Sequence, residues 1–124
     1  LLDMTYHDKF DPQGKETTTD ALARLQNQIG VFKYTPGTHM QASFDHLVGY
    51  AAGYYGYMWS KVYAEDLFSV FEKEGVMNPQ TGLRFKNEIL SKGSTEDENE
   101  IIRKFLGREP NQQAFLKSLG IKVE

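Results

Sequence analysis

Residues 54–74 contain no proline and carry the most demanding pattern in the chain. Read as one helix, they extend roughly 30 Å at 1.5 Å per residue. Lys61, Glu65, Ser69 and Glu72 fall on one narrow line, while Met58, Trp59, Val62, Tyr63, Leu67, Phe68, Val70 and Phe71 cover most of the remaining circumference. A helix with so little polar surface needs neighbours on several sides. The rest of the chain offers further helices and no competing strand pattern, so the expected fold class is all-α.

The flanking segments supply start and stop signals for those helices. Leu1, Leu2, Met4 and Tyr6 read as the tail of a helix, followed by a polar loop over residues 11–19 that ends in an N-cap at Thr19 or Asp20. Leu22, Leu25 and Ile29 recur at helical spacing, and Gly30 is a C-cap. Thr35-Pro36-Gly37-Thr38 is a turn, and a short helical turn is expected over residues 42–47. Beyond the long helix, Gly75 is a stop and Asn78-Pro79 a restart, with Leu83, Phe85, Ile89 and Leu90 as the buried side. Ser94-Thr95-Glu96-Asp97 reads as a capping box for a helix carrying Ile101, Ile102, Phe105 and Leu106 and ending at Gly107. Pro110 opens a last helix capped by Gly120, with Ile121 and Val123 as its tail.

Composition removes several function classes. Fourteen Lys and Arg against 17 Asp and Glu leave a formal net charge of −3, with both signs spread along the chain, so nucleic acid and anionic membrane are not expected partners. The absence of cysteine excludes disulfide frameworks, thiolate catalysis and Cys-based metal sites. Apolar stretches break well before the roughly 20 residues of a membrane span. The start, Leu1-Leu2-Asp3, has neither an initiator Met nor a basic leader, and Leu1 is read as internal to a longer product.

Residues 46–57 are where chemistry is expected. Were residues 50–57 helical, Tyr50, Tyr54 and Tyr57 would share one face, and Gly49, Gly53 and Gly56 a second line open to a backbone or ligand. Glycine loosens a helix by roughly 1 kcal/mol relative to alanine, which suits a hinge or ligand-contacting segment. A neutral phenol donates a hydrogen bond at working pH and suits an oxygen that gains charge in a transition state, where such a donor contributes roughly 3 kcal/mol. By pattern alone, tyrosines at this spacing serve packing more often than catalysis. His7, His39 and His46 make no metal site by themselves, since the His-Glu-x-x-His arrangement of a zincin helix occurs nowhere in the chain.

These motifs resemble a known family. Thr35-Pro-Gly-Thr38, Phe44-Asp-His-Leu-Val-Gly-Tyr-Ala-Ala-Gly-Tyr-Tyr-Gly-Tyr-Met-Trp-Ser60, Glu74-Gly-Val-Met-Asn-Pro79 and Phe105-Leu-Gly-Arg-Glu-Pro110 stand in the order and spacing of the zinc metallopeptidases that include thimet oligopeptidase, neurolysin, oligopeptidase A and mitochondrial intermediate peptidase. The resemblance implies the helical C-terminal segment of a larger, mostly helical zincin-type peptidase with a deep substrate channel. It implies zinc held by two histidines and a glutamate upstream of this chain, with none bound here. Residues 1–34 would be a connecting helix and loop, 35–57 the substrate-binding segment and 58–120 the helical body.

The same resemblance implies roles for single residues. Tyr57 and Tyr54 would face the scissile peptide as catalytic donors, Tyr57 being the stabiliser of the tetrahedral intermediate. His46, Gly49 and Tyr50 would bind substrate. The expected partners are short peptides and the N-terminal remainder of the same protein, in the cytosol or, second, in mitochondria. The alternative is a non-catalytic helical module that docks peptides or proteins on its tyrosines. A His-Glu-x-x-His motif upstream of Leu1 separates the two.

Overall fold

The computed structural model describes residues 1–122, and Val123 of the expected tail lies outside them. The described residues are helical and form no strand, as the all-α expectation requires. The chain divides into two compact units, Leu1–Gly56 and a second that starts at Tyr57.

In the first unit, α1 (Leu2–His7) precedes α2 (Thr18–Ile29), which buries Ala21 and Leu22. The cap of α2 is Thr17, not Thr19 or Asp20. The Thr17 hydroxyl accepts from Asp20 N at 3.1 Å, and the Asp20 carboxylate accepts from Thr17 N at 3.0 Å, closing a capping box. Thr19 is used elsewhere: its hydroxyl meets His39 Nδ1 at 3.1 Å and accepts from the Gln41 amide at 2.8 Å. Gly30 does end α2, but with an extended backbone, φ −74°. Glycine is needed for room, since a Cβ there would lie 2.6 Å from Gln26 O. A 3₁₀ turn (Met40–Ser43) and α3 (His46–Gly49) replace the single short turn expected over residues 42–47.

The long helix α4 (Gly56–Glu74) starts two residues later than expected. Its one fully buried side chain is a carboxylate, Asp66, 1% exposed, whereas Met58, Trp59 and Phe68 stand largely in solvent. Gly75, at φ 106°, ends it, and Asn78 caps α5 (Pro79–Phe85) by accepting from Gln80 N at 3.0 Å. Helix α5 runs on into a π-helical turn (Lys86–Leu90). The expected buried side holds only in part: Phe85 and Ile89 are half-buried, Leu83 and Leu90 are exposed, and Thr81, one turn before Phe85, is fully buried with its hydroxyl donated to Glu74 at 2.6 Å. Phe71, Phe85 and Phe105 meet with ring centroids 5.4–6.1 Å apart, and the Arg84 guanidinium lies 5.0 Å over Phe105.

Asp97, three residues beyond the expected start of the capping box, caps α6 (Glu98–Leu106) by accepting from Asn99 N and Glu100 N. Glu96 bridges Lys104 at 2.8 Å and Lys92 at 2.7 Å, and these hydrogen bonds pull its carboxyl down to about 2. Gly107 ends α6 in the left-handed region, φ 68°. The last helix, α7 (Gln113–Ser118), starts after Pro110, not at it, and the Asn111 amide ahead of it is donated to Asp66 at 2.8 Å. Gly120, φ 73°, follows the cap Leu119, and the bonds Gly120 N to Lys117 O and Ile121 N to Leu116 O complete a Schellman motif.

Asp66 therefore holds the second unit together. Arg108 grips its carboxylate with two nitrogens, at 2.5 and 2.9 Å, and Asn111 N supplies a third donor. Arg108→Met should leave a buried carboxylate with one partner and lower unfolding free energy by about 2–4 kcal/mol. Chemical denaturation of the full-length protein checks this, with Arg108→Lys expected to recover only part of the loss.

Candidate active site

The backbone of residues 50–55 is a chain of turns, so the condition for the tyrosines to share one helical face is not met. The break is at Ala52, whose φ of 57° lies in the left-handed region that a residue with a Cβ rarely enters. Gly53 N closes back on Tyr50 O at 3.0 Å, and Gly56 N on Gly53 O at 2.9 Å.

Asp3 on α1 governs this turn. It is 4% exposed, and its two carboxylate oxygens accept separately from Ala52 N at 3.0 Å and Tyr54 N at 2.9 Å. His7, one turn further along α1, places Nδ1 2.9 Å from the same carboxylate and Nε2 3.1 Å from Leu47 O. Both imidazole nitrogens thus face oxygens. Burial pushes the Asp3 carboxyl up, but the hydrogen bonds from Tyr54 and Ala52, with the charge and hydrogen bond of His7, outweigh it and hold the group below its usual value.

Three of the predicted site residues are brought together here. The Tyr54 ring packs edge-on against Phe44 at 4.7 Å and against His46 at 5.1 Å, and His46 lies 6.2 Å from Tyr50. Tyr54 keeps 42% of its surface exposed. The glycines have different duties, contrary to a single open line. A Cβ on Gly53 would stand 3.1 Å from two carbons of the Tyr50 ring, and one on Gly56 3.3 Å from the Tyr50 hydroxyl, so both make room for that ring. Gly49 alone faces open space. Tyr57 is the second residue of α4 and belongs to the second unit, 57% exposed.

Asp3 and Ala52 are the site residues that the sequence did not mark. A lone Asp near a chain start carries no spacing signal, and its partners lie 49 and 51 residues away.

The model of "Peptidase family M3" matches residues 1–121. The chain belongs to this family. Oligopeptidase A of Haemophilus influenzae is 39% identical over 98% of this chain and 18% of its own length. The organellar (chloroplastic/mitochondrial) oligopeptidase A of Arabidopsis thaliana is 35% identical over 97% of this chain and 16% of its own length. The dipeptidyl carboxypeptidase of Escherichia coli is 31% identical over 99% and 18% respectively. This M3 segment thus spans less than a fifth of the length of these relatives.

A metal does not fit the residues of this M3 segment. Among the described residues no group of three or more His, Cys, Asp or Glu side chains is gathered. His7 is taken up by Asp3 and Leu47 O, His39 meets Thr19, and His46 lies among aromatic rings. A groove of about 580 Å³ in the second unit includes Asp66 and Arg108, which neutralise each other, and none of the predicted site residues. No described helix is long and apolar enough to cross a membrane.

Two predictions follow from this geometry. Gly53→Ala should displace the Tyr50 ring and cost about 1 kcal/mol, while Gly49→Ala should stay within about 0.5 kcal/mol of the parent in thermal unfolding. For Asp3, a folded pKa below the unfolded one makes the ionised group stabilising above the ordinary aspartate range. That contribution fades as pH falls through the lower folded value. The protection factors of residues 50–55, which remove the intrinsic slowing of amide exchange in acid, should therefore fall on acidification below about pH 4, and Asp3→Asn should abolish that dependence.

Proposed function

We propose that this segment forms the peptide-facing wall, and supplies the phenolic donors, of a zinc-dependent endo-oligopeptidase acting on short peptides. The observation that carries this reading is the gathering of His46, Tyr50 and Tyr54 on a turn fixed from behind by a buried carboxylate. Membership of the M3 family supports the peptidase chemistry.

In this reading His46, Gly49 and Tyr50 hold the substrate chain. Gly49 is suited to close approach because nothing stands within 4 Å of where its Cβ would be. Tyr54 and Tyr57 donate from their hydroxyls to the carbonyl oxygen of the bond being cleaved, Tyr57 as the principal donor. A donor fixed where charge develops stabilises the transition state more than the ground state, which is what lowers a barrier. Zinc, when bound, supplies Lewis acidity and an activated water, and its ligands belong to other parts of the same protein.

Extensive exposed apolar surface fits a segment built to meet the remainder of its own protein. Val31, Phe32, Val48 and Met77 are almost fully exposed, and Trp59 largely so. In this reading the parent protein works in the cytosol or, second, in a mitochondrion.

In the full-length protein, Tyr57→Phe should lower kcat on a short fluorogenic peptide about 100-fold while KM changes only a few-fold. Unchanged turnover would remove the donor role. Chelation should abolish activity and added zinc restore it; activity that survives chelation overturns the metal dependence.

A further inference from the structure

We propose that Asp3 is a positioning residue for the Gly/Tyr turn, a buried clamp that sets where Tyr54 stands by holding Ala52 in a left-handed conformation. The proposal rests on the reading of Tyr54 as a substrate-facing donor.

The clamp is a division of labour between two oxygens. Oδ1 takes Ala52 N and Oδ2 takes Tyr54 N, so one planar carboxylate fixes two amides that lie two residues apart in the chain. In an extended strand, successive amides point to opposite sides, and amides two apart lie nearly 7 Å from each other. A single carboxylate spans them only if the intervening backbone curls, and the left-handed φ of Ala52 provides the curl. That conformation costs a residue with a Cβ roughly 1–2 kcal/mol, so it persists where surrounding bonds impose it.

His7 fixes the clamp in turn. From one helical turn along α1, its ring reaches the Asp3 carboxylate with one nitrogen and Leu47 O in α3 with the other. Thus α1 holds the Gly/Tyr segment at two places, at Leu47 and at the turn of Ala52 and Tyr54. Tyr50, whose ring covers Gly53, lies between them, and His46, whose ring packs on Tyr54, immediately precedes the first. Loss of the carboxylate would free Ala52 to relax and carry the origin of the Tyr54 side chain with it.

The test uses the full-length protein with Asp3→Ala and Asp3→Asn, alone and combined with Ala52→Gly. Amide exchange over residues 50–55 should accelerate about tenfold in Asp3→Ala, while α6 exchanges as in the parent. On a short fluorogenic peptide, kcat should fall about tenfold with KM changed less than about threefold. Ala52→Gly should recover part of that kcat, because glycine enters the left-handed region without penalty. A merely structural role predicts no such rescue. Unchanged exchange at the turn overturns the clamp; accelerated exchange with unchanged kcat overturns the positioning role. Should Asp3→Ala not fold, Asp3→Asn, which retains one acceptor oxygen, carries the same comparison. Parent-like turnover in both Tyr54→Phe and Tyr57→Phe would sink the donor reading instead, and the exchange data would still report on the clamp.

Discussion

Irregular backbone leaves some of its amides without a main-chain partner, and in this chain two buried carboxylates take up three of them. Asp3 accepts from Ala52 N and Tyr54 N, and Asp66 accepts from Asn111 N while gripped by Arg108. An unpaired amide or an unpaired carboxylate in such a place would each cost free energy, so the two demands are met by one contact. The Gly/Tyr turn and the link between α6 and α7 owe their defined shapes to these contacts. Helix periodicity accounts for neither.

Each carboxylate also explains why it is a carboxylate. An amide side chain offers one acceptor oxygen and would present an N–H₂ to the second donor, whereas an ionised Asp is an acceptor at both ends. Beside each lies a nitrogen partner, Arg108 at Asp66 and the His7 ring at Asp3, and such contacts offset the desolvation that burial imposes. They differ in kind: the Arg108 guanidinium meets both Asp66 oxygens in a planar fork, whereas a single His7 nitrogen meets the Asp3 carboxylate.

Much of the fold was legible because its signals are local. Asn78-Pro79 as a helix start, Gly75 and Gly107 as stops, and the long span of α4 follow from propensity and capping over a few residues. The failures share the opposite property. Thr17 caps α2 through its box with Asp20, while the Thr19 hydroxyl serves partners at His39 and Gln41, twenty or more residues away. On α5 Thr81, not Leu83, turns inward, its hydroxyl satisfied by Glu74 seven residues back, a pairing that apolar periodicity does not register. Whether residues 50–57 are helical could not be read locally, because nothing near Ala52 in sequence marks it for positive φ; the carboxylate bonded to its amide sits at position 3.

The consequence for the site is that its glycines and tyrosines are not interchangeable members of a repeat. Gly53 and Gly56 exist for the Tyr50 ring, and that ring then closes the inner side of the turn. Tyr54 is oriented through its own backbone nitrogen and by two flanking rings, whereas Tyr57 is oriented by α4, a helix of 19 residues. Two phenols proposed for one oxygen are thus set by unrelated constraints, one by a hydrogen bond to a distant carboxylate and one by helical geometry. A substitution in α1 therefore acts on the backbone of Tyr54 through Asp3, whereas the backbone of Tyr57 is held by the hydrogen bonds of α4.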